Sequence, residues 1–304
     1  MSKIRVAVLR GGDGPAYEDS LKTGSYIISL LKNSEKYEPL DVFISREGEW
    51  HSQGVADEPQ RILSRSDIAW NALHGLGESG TIQQLLQSLK HPFVGSQATA
   101  SALSHHKDFA KEVYKKHGLL TPMHTVVTAE DLDQQTLIAS FQKYLHPVIV
   151  KPANGVRGVG VRLAHSFHEL VEVVKKTFKH SPKVMIEEYV RGTVVTCPVV
   201  EEAKGESIYA FLPTHLETAL RRVRPMPEHN REVERMAKLA HQALGLKHYS
   251  ASDFIITPRG KIYIIETNSQ PLFHEDTMLH SSILASGWQP KDFIEHCLDL
   301  SLRA

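Results

Sequence analysis

Cysteine is scarce in this sequence. Only Cys197 and Cys297 occur among 304 residues, 100 positions apart. Two cysteines cannot build a disulfide framework or a cysteine-rich zinc site, so both classes are excluded. An isolated pair of this kind is typical of reduced thiols in a reducing compartment. We therefore expect a cytoplasmic protein.

Long hydrophobic runs and excess charge are also missing. No stretch approaches the roughly 18 apolar residues that span a membrane, and the apolar run at the N-terminus stops at Gly11-Gly12, too early for a signal peptide. Lys and Arg together number 35, as do Asp and Glu, so the formal net charge is zero. Nucleic-acid binders need a surplus of basic charge to neutralise phosphates. We therefore expect small-molecule partners, no nucleic acid and no membrane.

Several catalytic motifs are absent as well. The GGDGPA segment after the first predicted strand lacks the GxGxxG dinucleotide fingerprint, which excludes a plain dehydrogenase. A tight turn that needs small residues explains these glycines as well as phosphate binding does. The sequence also lacks HExxH, the P-loop and the GxSxG nucleophile motif. No nucleophilic side chain is predicted.

The pattern of the chain is that of a soluble α/β and α+β protein. Its length suits two or three domains, or one large α/β unit. Residues 4–9 predict a strand buried on both faces, and a glycine turn and a helix over 20–32 follow it, as at the start of a doubly wound domain. We predict an N-terminal doubly wound domain over residues 1–97, a small central domain over 98–189 and a C-terminal domain over 190–304.

A lysine and a glycine-rich loop follow one another in VIVKPANGVRGVGV. Lys151 ends an apolar strand, and residues 154–160 form the loop. Backbone amides and one ammonium group in this arrangement can surround a polyphosphate. The alternative is a flexible hairpin with an exposed lysine.

Two carboxylates and an amide converge at a predicted hairpin near the C-terminus. Asp253 lies on one strand, and Glu266 and Asn268 end the other after a turn at 258–260. Antiparallel pairing brings the start of one strand beside the end of the next, and residues two apart point to one face. These oxygen ligands suit Mg²⁺ carried by a nucleotide. Taken singly, each is more typical of a polar residue at a hairpin edge.

Together these motifs resemble the ATP-grasp enzymes, and among them the D-alanine–D-alanine ligases. The resemblance covers essentially the whole chain. The HGxGE-GTIQ block at 74–83 with VGS at 94–96 is specific to that family, whereas the lysine, Asp and Glu-x-Asn set is shared by ATP-grasp proteins more widely. The matching segments are AVLRGG with Glu18 and SLKTG, ALHGLGESGTIQ, FVGSQATASAL with Lys107, VIVKP, VMIEEYVRG, DFIIT and IIETNSQP.

The resemblance implies an ATP-grasp fold, with ATP between the central and C-terminal domains. It also implies a role for each matching position. These roles are phosphate binding by Lys107 and Lys151, adenine binding by Glu187, Glu188 and Val190, Mg²⁺ binding (with Mn²⁺ as an alternative) by Asp253, Glu266 and Asn268, and substrate binding by Glu18, His74 and Thr277.

The implied activity is that of a carboxylate–amine ligase in peptidoglycan biosynthesis for the cell wall. The donor carboxylate attacks the γ-phosphate of ATP, giving an acyl phosphate and ADP, and an amine then displaces phosphate. Catalysis then depends mostly on positioning and charge neutralisation. Because dimers are common among the relatives, a homodimer is the default expectation.

The sequence departs from the family pattern mainly around the amino-acid pocket. A glutamate for the donor amine is replaced by Ala16, an oxyanion-stabilising arginine by Ala251, and a ribose-binding glutamate by Val194. The other departures are the loop at 155–160, the arginines in 214–228 where the family has a tyrosine-bearing loop, and Pro271-Leu272-Phe273 in place of Pro-Gly-Met.

These departures leave two alternatives to the parent activity. One is a ligase for a different amino or hydroxy acid, and the other is a nucleotide-binding protein that has lost ligation. An active ligase needs a substitute for the lost oxyanion donor, and we predict Arg157 first and Arg222 second as catalytic arginines. For each arginine alone, a solvated basic residue is the simpler interpretation.

Overall fold

The computed structural model describes residues 2–130, 133–154, 158–217, 222–225 and 229–303. Within these residues, sixteen strands form three sheets, accompanied by ten α-helices. This mixed arrangement confirms the predicted α/β and α+β class.

The first sheet has a mostly parallel, doubly wound topology. Its strand order is β4-β3-β2-β1-β5-β6, in which β1 is parallel to β2 and β5, while β3 and β4 are antiparallel additions at one edge. Because β1 is central, residues 6–9 are buried on both faces, as predicted. The elements are β1 (Ile4–Gly11), α1 (Tyr17–Lys32), β2 (Tyr37–Ile44), β3 (Trp50–Ser52), β4 (Val55–Ala56), α2 (Pro59–Leu63), β5 (Ile68–Asn71), a 3-10 helix (Gly75–Glu78), α3 (Thr81–Ser88) and β6 (Phe93–Val94).

Gly11 allows the chain to leave β1 and enter α1. Its φ is +98°, and a Cβ added there would lie 2.2 Å from the carbonyl oxygen of Ile44 at the end of β2. Only glycine fits both the left-handed backbone and this close approach. The turn itself therefore requires this glycine.

The second sheet is antiparallel and has four strands in the order β7-β10-β8-β9. Two helices, α4 (Ala98–His105) and α5 (Lys107–Lys116), precede it. Buried residues of α7 such as Leu170 and Val174 pack against this sheet. The elements of this part are β7 (His124–Thr128), α6 (Gln134–Lys143), β8 (Val148–Pro152), β9 (Arg162–Ala164), α7 (Phe167–Phe178) and β10 (Lys183–Glu188).

The third sheet places β15 between β11 and β16. Its order is β14-β13-β11-β15-β16, with β12 paired to β11. The antiparallel pairing of β15 with β16 confirms the predicted hairpin. The elements are β11 (Thr193–Ala203), β12 (Glu206–Ala210), β13 (Thr214–Glu217), β14 (Arg222–Pro225), α8 (Asn230–Ala243), β15 (Tyr249–Ile256), β16 (Ile262–Asn268), α9 (Met278–Ala285) and α10 (Pro290–Arg303).

The cores join parts of the chain that are distant in sequence. Tyr114 of α5 packs with Phe254 in the core of the third sheet. Phe293 of α10 packs with Trp70 under the first sheet. The boundaries at 97/98 and 189/190 stay a prediction. The core around Phe293 combines residues from 1–97 with residues from 190–304, and the core around Tyr114 combines residues from 98–189 with residues from 190–304.

Candidate functional site

The β15–β16 pair brings two carboxylates together. Asp253 pairs directly with Glu266, and a register shift after Asp253 pairs Phe254 with Ile264, so Ile265 is the extra residue of a bulge. On the other side of β15, Thr196 of β11 pairs with Asp253 and donates a 2.6 Å hydrogen bond from its hydroxyl to Oδ1. Thr196, Asp253 and Glu266 thus form one row across three strands.

The two carboxylates do not share one electrostatic environment. Burial and the neighbouring Glu266 carboxylate raise the pKa of Asp253 to about 7, against the opposing effects of Thr196 and Lys107. Burial tends to raise the pKa of Glu266, but Lys107, Lys151 and Asn268 together outweigh burial and lower that pKa. The ammonium of Lys107 lies 2.5 Å from Glu266 Oε2. The repulsion between the two carboxylates therefore raises the pKa of Asp253 and not that of Glu266.

Asp253, Glu266 and Asn268 are chemically suited to a divalent cation. Asn268 pairs with Ala251 two positions along the same ladder, so its amide is on the face that carries the carboxylates. Oxygen ligands are those that Mg²⁺ and Mn²⁺ prefer, and a cation would relieve the repulsion between the two carboxylates. Among the described residues, no group of three His, Cys, Asp or Glu side chains competes as a metal site.

A second ionic group surrounds Glu187 at the end of β10. The carboxylate is buried, and its Oε2 lies 3.0 Å from the ammonium nitrogens of both Lys111 and Lys151. These contacts to Oε2 are ion pairs rather than well-directed hydrogen bonds, whereas Lys151 donates a hydrogen bond of 3.2 Å to Oε1. Burial tends to raise the pKa of Glu187, but Lys151 and Lys111 outweigh burial and lower it. Burial lowers the pKa of Lys111 to about 8.

Backbone contacts hold the two predicted phosphate lysines near each other. The N–H of Lys107, the first residue of α5, donates to the carbonyl of Ala153, two residues after Lys151. Lys151 also lowers the pKa of Glu266, the partner of Lys107, which places both ammonium groups within one electrostatic field. The start of α5 and the end of β8 therefore form one cationic edge beside the carboxylate pair.

A cavity of about 420 Å³ opens next to the carboxylates. Its lining includes Asp253, Glu266, Asn268 and, on the floor beside them, Ala251. It also includes residues of the first sheet's region and of the loop before α9: Asp19, Lys22, Glu78, Gln270, His274 and Thr277. The cavity thus lies between the N-terminal and C-terminal parts.

Gln270 fixes these two parts against each other. Its amide nitrogen donates to the carbonyls of Asn71 at 2.7 Å and Leu73 at 2.6 Å, and its amide oxygen accepts from the Asn71 side chain at 2.9 Å. All of these groups are buried. Gln270 follows Asn268 by two residues, so this network positions the cavity wall relative to the metal-ligand candidates.

His74 is buried beside the cavity and has a partner on each ring nitrogen. Nδ1 lies 3.0 Å from Glu78, which lines the cavity, and Nε2 lies 3.0 Å from the hydroxyl of Thr23. Glu18, by contrast, is exposed in the first turn of α1, where it lies 3.7 Å from Arg46 and does not line the cavity. The structure brings His74, but not Glu18, close to the cavity.

Thr277 lines the cavity and also caps a helix. Its hydroxyl accepts a hydrogen bond of 3.3 Å from the N–H of His280 at the start of α9 and donates one of 2.7 Å to the carbonyl of His274. These two bonds orient the hydroxyl at the cavity wall. A substrate that bound the Thr277 hydroxyl would share it with the hydrogen bonds to His274 and His280.

The remaining predicted residues differ in their surroundings. Glu188 accepts a 2.9 Å hydrogen bond from the N–H of Met123, and Val190 is half-buried just after β10. Arg157 lies outside the described residues. Arg222 begins β14 opposite Glu217 of β13, and its side chain lies outside the described part.

The sequence interpretation missed Lys111 and Gln270. Lys111 follows Lys107 by four residues, a spacing that puts both lysines on one helix face. That spacing could have identified Lys111, whereas no local pattern distinguishes Gln270 from a surface glutamine.

Comparisons with known proteins give one consistent result. The family model for the D-ala D-ala ligase C-terminus matches residues 113–299. The D-alanine–D-alanine ligase of Desulfotalea psychrophila is 30% identical over 331 residues, covering 99% of this chain and 95% of that protein. Among solved structures, the D-alanine–D-alanine ligase from Coxiella burnetii has a TM-score of 0.89 at 22% identity, covering 99% of this chain and 96% of that chain.

A solved relative also contains a nucleotide. The D-alanine–D-alanine ligase from Bacillus anthracis, complexed with ATP, has a TM-score of 0.81 at 25% identity and covers 99% of this chain and 97% of that chain. In the described part of the present chain, none of the helices combines the length and apolar composition needed to cross a membrane.

Proposed function

Because the chain belongs to the D-alanine–D-alanine ligase family and is an ATP-dependent ligase that forms a C–N bond, we propose that it joins two molecules of D-alanine through an acyl phosphate. The observation that carries this proposal is the position of the cavity. The carboxylate pair and Ala251 line one space of about 420 Å³. Lys107 reaches this site through its ion pair with Glu266, and Lys151 acts electrostatically on the same carboxylate. That space can receive a carboxylate beside the γ-phosphate of ATP.

In the first step, one carboxylate oxygen of the donor D-alanine attacks the γ-phosphorus of ATP. The bond between that phosphorus and the bridging oxygen breaks, giving ADP and the acyl phosphate. Lys107 and Lys151 neutralise the phosphate oxygens and keep the reacting atoms aligned. A divalent cation held by Asp253, Glu266 and Asn268 would supply further neutralising charge on the phosphates. We propose Mg²⁺, with Mn²⁺ as the alternative, because both cations suit hard oxygen donors.

In the second step, the free amine of the acceptor D-alanine attacks the carbonyl carbon of the acyl phosphate. A tetrahedral intermediate forms, its C–O bond to phosphate breaks, and phosphate leaves with the oxygen that came from the donor. The amine loses one proton in this step, to the departing phosphate or to solvent. Arg157 or Arg222 would stabilise the oxyanion, because Ala251 carries no donor. Adenine would be received along the segment of Glu187, Glu188 and Val190. The amino acids would be received by His74 and Thr277, whereas Glu18, predicted with them, does not line the cavity.

The altered pocket supports a second candidate, a ligase for another amino or hydroxy acid. Both candidates are tested by ADP release from the purified protein with ATP and Mg²⁺, in the presence of D-alanine, L-alanine, D-serine or D-lactate. Release that depends on D-alanine, with the dipeptide detected by mass spectrometry, is the expected result. Release with a different acid alone would favour the second candidate. No stimulation by any acid would favour a nucleotide-binding protein without ligation.

We further propose that the protein acts in the cytoplasm as a homodimer. Light scattering of the eluted protein in size-exclusion chromatography tests the dimer, which predicts about twice the monomer mass of 34.1 kDa. A monomer at all concentrations would contradict it.

A further inference from the structure

Lys111 is a buried lysine to which the ligation mechanism gives no role. It lies on α5 one turn after Lys107, and its side chain is completely buried. The ammonium donates to the hydroxyl of Thr121 at 2.7 Å and to the carbonyl of Pro122 at 3.4 Å, and it lies 3.0 Å from Glu187 Oε2. Lys111 therefore cannot reach a bound phosphate.

Glu187 has two counter-ions, and they differ in how many other groups hold their ammonium nitrogens. Lys111 is held by two further oxygen atoms, whereas Glu187 is the only ion-pair partner of Lys151 within the described residues. Lys151 is on β8, diagonal to Glu187 across the β8–β10 pair, and its long side chain ends at the cationic edge. A buried carboxylate that loses its only counter-ion is strongly destabilised.

This geometry creates a conflict for Lys151. To bind a phosphate oxygen in the cleft, its ammonium would move away from Glu187, whose side chain is only 2% exposed. If Lys151 were the sole counter-ion, that movement would leave an unpaired charge in the interior. With Lys111 in place, Glu187 keeps one ammonium at 3.0 Å throughout.

We propose that Lys111 is a positioning residue that remains with Glu187 and so releases Lys151 to ATP. This inference rests on the proposed phosphate role of Lys151. Lys107 would undergo the same exchange at Glu266, whose carboxylate would then be free to hold a divalent cation. One face of α5 thus supplies a mobile ammonium and, one turn later, a fixed one.

The test measures binding of ATP with Mg²⁺ by isothermal titration calorimetry, without amino acid. Lys111→Met should raise the dissociation constant of ATP about tenfold to hundredfold. This is the range expected when ATP loses its charged hydrogen bond from Lys151, which would stay with Glu187. Adenosine, measured separately, should bind with unchanged affinity, because it has no phosphate for Lys151. The matched control is Lys115→Met, one turn further along α5, where an exposed lysine pairs with Glu112 at 2.7 Å. That control should bind ATP normally.

Rescue separates this role from simple loss of structure. Adding Glu187→Gln to Lys111→Met removes the charge that retains Lys151, so ATP affinity should return to that of Glu187→Gln alone. If Lys111→Met alone does not fold, Glu187→Gln and the double variant still test the inference. In the Glu187→Gln background, adding Lys111→Met should not change the dissociation constant of ATP.

Three results would overturn the inference: normal ATP affinity in Lys111→Met, equal weakening of ATP and adenosine, or no rescue by Glu187→Gln. Failure of the wild-type protein to bind ATP would instead refute the proposed function.

Discussion

Each lysine at the cationic edge has a carboxylate partner, and this pairing defines the site at the scale of single residues. Lys107 pairs with Glu266, and Lys111 and Lys151 share Glu187. Asp253 has no lysine of its own within 4.0 Å among the described residues, and its pKa is raised to about 7. The site is thus short of one positive charge where a cation would bind.

Glu266→Gln should lower kcat by at least about a hundredfold, because one metal-ligand charge is lost. The fold should survive, since the change also removes the repulsion between Glu266 and Asp253. Steady-state ADP release and thermal unfolding measure the two effects. Glu202→Gln, at an exposed position, is the control. A wild-type kcat at saturating Mg²⁺ would show that the metal site is elsewhere.

Arg157→Ala or Arg222→Ala should lower the single-turnover ligation rate about 10²–10³-fold, the cost of one preorganised oxyanion donor. ATP affinity should stay unchanged, since the donor acts on the acyl group. Rapid quench with ATP binding measured in parallel gives both values. If both variants ligate at the wild-type rate, neither arginine replaces the donor missing at Ala251.

The sequence predicts the residues of this site unevenly. Asp253 and Glu266 can be found because the hairpin turn and the Glu-x-Asn spacing specify which residues meet, and the structure confirms that pairing. The bulge at Ile265 cannot be found, because no turn residue or spacing in the sequence marks it. The spacing from Lys107 identifies Lys111 as lying on the same helix face, but its burial cannot be recognised, because four lysines occur between 107 and 116 and burial depends on the sheet against which α5 packs.

At the scale of elements, a glycine contributes most to stability where its backbone lies against the backbone of a neighbouring strand. Gly11 and Gly48 both have positive φ, +98° and +85°, but only Gly11 has a neighbouring carbonyl where a Cβ would lie. This pair of positions separates backbone strain from steric overlap.

Gly48→Ala should cost about 1 kcal/mol of unfolding free energy, from the left-handed backbone alone. Gly11→Ala should cost about 2 kcal/mol or more beyond that, because the new Cβ overlaps the Ile44 carbonyl and separates β1 from β2. Denaturant titration of both variants measures the difference. Equal losses would mean that the approach of β2 to Gly11 contributes nothing.

Elements with a clear period or an apolar run were predictable, and short ones were not. β1 and α1 match their predicted positions within a few residues, and the β15–β16 hairpin turns where the sequence predicts. α4 and α9, each of eight residues, have no strong amphipathic period, and β3 and β4 have only three and two residues. Such short or weakly periodic segments give the sequence pattern too few residues to identify them.

At the scale of the whole molecule, polar contacts connect the first and third sheets. His248 Nδ1 accepts a 2.8 Å hydrogen bond from the N–H of Gly95, just after β6, and the His248 N–H donates to Glu201 at 2.7 Å. Burial lowers the pKa of His248 to about 4. Burial tends to raise the pKa of Glu201, but His241 and the His248 N–H lower it to about 2.

These shifts predict that acid weakens the fold in two stages. The lowered pKa of His248 means that the unfolded chain binds a proton first, so stability falls from pH 6.5 down to about 4. The depressed Glu201 carboxyl stabilises the fold above pH 4.5, and that stability is lost as the pH falls towards about 2.

His248→Asn should remove the first stage. Asn tolerates the positive φ of 63° at this position and does not titrate. The decline between pH 6.5 and 4 should become smaller by about 1–2 kcal/mol, allowing for solvent screening. Urea unfolding across this range measures it, with the exposed His168→Asn as the control. An unchanged slope would assign the acid sensitivity to other groups.

The most direct measurement follows one oxygen atom. D-alanine labelled with ¹⁸O at both carboxylate oxygens is turned over with unlabelled ATP, and the released phosphate is analysed by mass spectrometry. Ligation through an acyl phosphate predicts one ¹⁸O in each phosphate, formed in step with the dipeptide. Unlabelled phosphate released at the same rate would mean that water, not the carboxylate, receives the phosphoryl group.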